Sequence, residues 1–213
     1  MDVESQSYRV AIRLKSIFHV INIPLLFNKF QEVGYKPLIP LPMVQTLMEP
    51  TNFRITSPIL RKEMSIIDVN TDMNSIGIQN GSIDYLINDL NTFFKIILDM
   101  VLSKTKIWFY EFHANIKFKN KTMHKINIDG DLISKMSELG KEFDNNLSVS
   151  GITFWSGNNP DSENFMEIKI DPDILDDHFA NLKIIYRNKN RETFMKILEN
   201  KFKNINELLK ILE

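Results

Sequence analysis

The spacing of hydrophobic and polar residues changes along the chain, and each change of period predicts an element. From Tyr8 to about His19, Tyr8, Val10, Ile12 and Leu14 alternate with Arg9, Arg13 and Lys15, the period of two of a half-buried strand whose outer face is basic. Pro24 then sits where a first helical turn tolerates a missing amide. Leu25, Leu26, Phe27, Phe30 and Val33 follow at helical spacing, and Gly34 closes the helix. Pro37, Pro40, Pro42 and Pro50 mark Tyr35 to Thr51 as an irregular connection, with one helical turn near Met43 to Met48. Short β-type runs return at Phe53 to Thr56, Leu60 to Val69 and Ser75 to Gln79. Ser82 then caps a long helix to about Leu102, with Leu86, Leu90, Phe94, Ile97 and Val101 on one broad face.

The order then begins again. Ile107 to Lys119 alternates as a long strand, with Trp108, Tyr110, Phe112, Ala114, Ile116 and Phe118 against Glu111, His113, Asn115, Lys117 and Lys119. Asp129 or Asp131 can cap a helix that carries Leu132 through Phe143. Strands follow at Ser148 to Trp155, Phe165 to Ile170 and Leu182 to Arg187, and a last helix runs from about Arg191 to Leu212. Both halves, 1–103 and 104–213, therefore read β-α-β-β-β-α. An offset of about 108 residues superposes Leu86, Leu90, Phe94 and Ile97 on Phe194, Leu198, Phe202 and Ile205, as a tandem duplication would. The fold class is α+β: two such units fuse at their edges into one curved antiparallel sheet of about eight strands backed by long helices, one globular unit. In element order this resembles the saddle of TATA-box-binding-protein-like folds. A single helix-grip-like α+β domain is the alternative.

Composition narrows the function classes. The chain has 213 residues, 26 basic against 27 acidic side chains, no cysteine and four histidines. That balance provides no global field toward nucleic acid or an anionic membrane, and the lack of cysteine removes disulfide and thiol chemistry. Met1 to Ser7 lacks the pattern of a signal peptide, and Asp84, Asp89, Lys95 and Asp99 interrupt the longest apolar run, so the expected setting is cytoplasmic with no membrane span.

Four clusters could carry chemistry. Asp171, Asp173, Asp176, Asp177 and His178 offer oxygen ligands but lack a metal-loop spacing, and a solvated turn accounts for them. Glu111, His113 and Asn115 share one strand face, with His19 at a matching place; a histidine beside a carboxylate suits acid-base work, yet no nucleophile motif accompanies it and surface or interface decoration is the simpler reading. The basic row Arg9, Arg13 and Lys15, extended by Lys117, Lys119, Lys121 and Lys125, could track phosphates, although Glu111, Glu167 and Asp171 oppose it. Trp155, at the base of a polar loop, could anchor a partner. Scattered methionines, among them Met43, Met48, Met64, Met73, Met100 and Met166, suit irregular packing. No phosphate loop, nucleophile elbow or zinc motif is present, so neither cofactor nor metal is expected.

The reading is a non-catalytic binding module that engages a macromolecule through Arg9, Arg13, Lys15, Glu111, His113, Lys117 and Trp155, with protein or self-association ahead of nucleic acid. Alternatives are a small-molecule binder or enzyme with Trp108, Tyr110, Phe112 or Tyr186 lining a pocket, a nucleic-acid-binding saddle, and a homodimer built on the Phe194, Leu198, Lys201, Ile205, Leu208, Leu212 stripe.

Overall fold

The twelve-residue β1 (Val3–Leu14) and the thirteen-residue β6 (Ile107–Lys119) lie antiparallel as neighbours at the centre of a nine-stranded sheet. The computed structural model describes residues 2–17, 22–38, 56–101, 106–119, 151–156, 162–173 and 178–202. Around the central pair stand β2 (Lys36–Pro37), β3 (Thr56–Lys62), β4 (Ser65–Asn70), β5 (Ser75–Asn80), β7 (Ile152–Ser156), β8 (Phe165–Pro172) and β9 (Phe179–Asn188), in the order β2-β3-β4-β5-β1-β6-β9-β8-β7. Outward from the centre, β5, β4 and β3 follow β1, while β9, β8 and β7 follow β6. Every pairing is antiparallel, and the three described helices are α1 (Ile23–Glu32), α2 (Ile83–Met100) and α3 (Arg191–Ile197). The fold is α+β with one large antiparallel sheet.

Several boundaries differ from expectation, each for a physical reason. β1 begins five residues before Tyr8, since the long β6 provides backbone partners for the polar Val3–Ser7 stretch. It ends at Leu14, where the amides of Leu14 and Lys15 turn to the carbonyls of Asn74 and Lys106. The expected Leu60–Val69 strand is broken by a Glu63–Met64 turn in which Glu63 adopts φ 52°, a left-handed conformation no residue there advertises. Lys36 and Pro37 form a ninth, two-residue strand at the sheet edge, a position where proline is tolerated. α3 widens after Ile197 into a π-helical stretch, Leu198–Phe202.

Helix ends follow local chemistry. Asn22 Oδ1 accepts the Leu25 amide, Pro24 stands in the first turn, and Gly34, at φ 93°, ends the chain reversal after α1. Ser82 occupies the N-cap of α2 without a side-chain cap bond, contrary to expectation. Asn80 Oδ1 instead accepts the Ser82 amide at 2.9 Å. The same device recurs before α3, where Asn188 Oδ1 accepts the Asn190 amide at 2.8 Å, and Asn190 also caps Thr193.

All three helices deliver apolar side chains to one side of the sheet. Tyr8, Val10, Ile12 and Leu14 of β1, Tyr110, Phe112, Ala114, Ile116 and Phe118 of β6 and Leu182, Ile184 and Tyr186 of β9 are buried there. Ring contacts link the elements: Phe94 of α2 and Phe194 of α3 both meet Tyr110, at 5.6 and 5.8 Å, while Phe202 stacks on Phe112 at 4.9 Å. Tyr186 stacks on Phe194 at 5.6 Å. The expected pocket lining of Tyr110, Phe112 and Tyr186 is thus packed core, and Trp108 is exposed. Phe194 and Leu198 of the supposed dimer stripe are buried as well; Ile205, Leu208 and Leu212 lie outside the described residues. Met100 and Met166 pack against the core, but Met64 and Met73 stand exposed at hairpin turns. The expected helix from Asp129 or Asp131 to Phe143, together with His19, Met43 and Met48, also falls outside the described residues.

Candidate functional site

Strand alternation sends the intervening residues to the other side of the sheet, and their cross-strand registers sort them into rows. One row runs Asp68–Gly77–Ala11–Glu111–Arg187–Phe165 across β4, β5, β1, β6, β9 and β8. Beside it runs Gln79–Arg9–His113–Ile185–Glu167. Next comes Ser7–Asn115–Lys183–Lys169–Thr153. Burial falls off in that order. Glu111 and Ala11 are fully buried, whereas Ser7, Asn115 and Lys183 are exposed.

Glu111 is the centre of the buried row. Its Oε1 lies 3.1 Å from Nη2 of Arg13 and accepts from Arg13 Nε at 3.2 Å; its Oε2 accepts from Arg187 Nε at 2.6 Å. His113 Nε2 sits 2.8 Å from Oε1, buried and off the line of a hydrogen bond. Arg13 Nη1 also donates to the Met73 carbonyl at 2.9 Å, which ties the β4–β5 turn to the cluster. Burial alone would raise the pKa of Glu111. Its contact with His113, the charge of Arg13 and the Arg187 hydrogen bond outweigh burial and hold it down at about 2. The Arg187 guanidinium lies over the rings of Phe109 and Phe165, 5.2 and 5.5 Å from their centres. The buried end of this face is therefore filled by its own side chains.

A second pair flanks the first. Arg9 donates from Nε to Asp68 Oδ2 at 2.8 Å and from Nη2 to Oδ1 at 2.5 Å, a fork-to-fork contact. The guanidinium crosses directly above Gly77, where any Cβ would stand 2.6 Å from Arg9 Nη2. Glycine at that strand position is explained by this close approach. Burial would lower the pKa of Arg9, but the Asp68 hydrogen bond and the charges of Asp68 and Glu111 hold it above its usual value.

The expected site residues therefore part company. Arg9, Arg13, Glu111 and His113 do converge, but Glu111 is not surface decoration: it is the fully buried anion on which Arg13 and Arg187 close. The basic row is not a free cationic track either, because Arg9 and Arg13 are paired with carboxylates and Lys117 lies 3.1 Å from both Glu4 and Asp173. Lys15 lies past the end of β1, exposed. The backbone of Trp155 pairs with Glu167 at the outer strand β7. Lys121, Lys125, Asp176 and Asp177 lie outside the described residues. Asp171 and Asp173 are engaged by Lys169 and Lys117, and no group of metal-ligating side chains occurs among the described residues.

Sequence reasoning missed Asp68, Gly77 and Arg187. Their signal lay in alternation: Asp68 interrupts Ile66-Ile67-Asp68-Val69, and Arg187 follows Ile184-Ile185-Tyr186, each a charge inside a strand rich in β-branched or aromatic residues. Compared with protein-family models, curated proteins and solved structures, the chain matches none. No described helix is long and apolar enough to cross a membrane.

Proposed function

We propose that the protein is a non-catalytic, protein-binding module whose sheet face opposite the described helices is the recognition surface. One observation carries this reading: that face grades from a bed of paired charges around Glu111 to a row of hydroxyl, amide and ammonium groups in which Ser7, Asn115, Lys183 and Thr153 are exposed and Lys169 is half-buried. Side chains locked from below present a defined shape, and the pairing of Arg9, Arg13 and Lys117 with carboxylates removes the field that a polyanion needs.

The platform reads as a tandem duplication, halves 1–103 and 104–213, with the TATA-binding-protein-like order of a curved saddle. Three observations support it. The strand order is the same outward from β1 and from β6. Tyr8 stands opposite Asn80 in one half, as Tyr110 stands opposite Asn188 in the other. Both asparagines accept the amide two residues on, and both lead into helices, at Ile83 and Arg191, separated by the same offset of about 108 residues that aligns the helix stripes.

The test is a photocrosslinking residue placed in the full-length chain at Asn115 on the recognition face or at Lys95 on the outer surface of α2, both exposed. A protein adduct from position 115 and none from 95 is expected. Nucleic acid captured at 115, or adducts of equal yield from both positions, would overturn the reading.

A further inference from the structure

The exposed row contains a feature that strand pairing does not explain. Lys183 of β9 and Lys169 of β8 are directly opposite each other, and like charges so placed oppose the pairing of their strands. Lys169 is relieved by Asp171, whose Oδ2 lies 2.8 Å from its Nζ. Lys183 has no ion pair among the described residues. Its other neighbour across the strands is Asn115, and the nearest acidic positions on this face, Glu167 and Asp171, are diagonal to it. Of the other cations on this face, Arg9 has Asp68, Arg13 and Arg187 have Glu111, Lys117 has Asp173 and Glu4, and Lys119, at the end of β6, is like Lys183 without a carboxylate among the described residues. Asp171 compensates Lys169, and the Lys183 ammonium opposite it is left for a partner to pair.

We propose that Lys183, with Asn115 and Lys169, receives a carboxylate from an acidic segment of the partner protein. The proposal rests on the protein-binding reading and names the chemistry of that partner. The group that completes the row is an anion seated between two ammonium groups, within reach of the Asn115 amide, with the Ser7 and Thr153 hydroxyls continuing the row on either side. A peptide laid along this row crosses five strands and meets hydrogen-bonding groups at each of them.

Lys183→Glu separates recognition from folding. It sets an acid opposite Lys169, so the melting temperature rises by about 1–3 °C while recognition is lost. A glutamate-rich peptide titrated into the isotopically labelled full-length protein is expected to shift the Asn115 side-chain amide and the Lys183 side-chain resonances. Its affinity should fall roughly tenfold in Lys183→Glu, and by less in Lys183→Gln, which also keeps the fold. The proposal is overturned if the peptide leaves those resonances unmoved, if Lys183→Glu binds it as tightly as the parent, or if a single-stranded oligonucleotide shifts the same resonances at lower concentration. A protein adduct from position 115 that persists in Lys183→Glu would refute this inference and leave the protein-binding reading intact. Absence of any such adduct would refute the reading itself.

Discussion

The two faces of the sheet solve the same problem with opposite materials. On the helix side, β1, β6 and β9 present Tyr8, Phe112 and Tyr186, and α2, α3 and the π-helical stretch after α3 cover that side with Phe94, Phe194 and Phe202, so burial of apolar surface holds that layer. On the other side the buried row contains Asp68, Glu111 and Arg187, with Arg9 and Arg13 folded in from neighbouring positions, and no described helix covers it. Its carboxylates and guanidinium groups pair with one another, and Gly77 leaves room for the Arg9 guanidinium to lie against the sheet. The difference teaches where function can reside. A hydrocarbon layer sealed by helices has nothing to present, whereas a charge-paired layer that ends in an exposed polar row can be both rigid and legible to a partner.

Perturbations should respect that division. Phe112→Ala removes a buried ring stacked between Tyr8 and Phe202, and should cost about 3–5 kcal/mol at neutral and acidic pH alike, measured by chemical denaturation. Arg13→Met takes one cation from Glu111 and leaves Arg187 and His113 in place, so the expected loss is smaller, about 2–3 kcal/mol at neutral pH. That loss should shrink in acid, as the carboxylate it served becomes protonated. Equal pH dependence in the two variants would erase the distinction between the faces.

Smaller changes sharpen it. Gly77→Ala places a methyl group where the Arg9 guanidinium lies, displaces Arg9 from Asp68, and should cost about 1–2 kcal/mol; combined with Arg9→Met the penalty should largely vanish, which a double-mutant cycle will detect. Glu63→Gly, at the φ 52° turn between β3 and β4, should stabilise by roughly 0.5–1 kcal/mol, since only the backbone conformation is relieved there.

Alternation made the helix-side layer readable in advance. Tyr8 to Leu14 and Tyr110 to Phe118 declare their buried positions by period alone, and Pro24, Gly34 and the stripe from Leu86 to Ile97 declare α1 and α2. The polar layer was only half readable. Arg9, Arg13, Glu111 and His113 were visible as residues sharing a face, but whether such a face meets water or is closed by its own ion pairs depends on register between strands far apart in sequence. Arg13 and Glu111 are 98 residues apart, and nothing local to either identifies the other. The Glu63 turn was hidden for a different reason: glutamate carries no turn preference, so the left-handed residue is imposed by the pairing of β3 with β4. Ser82 occupies the N-cap position that its residue type announces but makes no side-chain cap bond there, so residue type located the helix start without giving its hydrogen bonds.

The proposed recognition face is held from beneath by the ionised Glu111. Because its pKa in the folded chain is about 2, below the 4.5 of the free group, the unfolded chain takes up the proton first as pH falls. The stabilisation is therefore complete above pH 4.5, declines below it, and is gone once pH passes 2. It amounts to something on the order of 3 kcal/mol. The most direct test compares the unfolding free energy of the parent chain and Glu111→Gln from pH 7 to pH 2. A variant several kcal/mol weaker at pH 7, with the gap closing through the acid range, is the predicted result; a gap that is absent, or that stays constant across the range, would contradict the account.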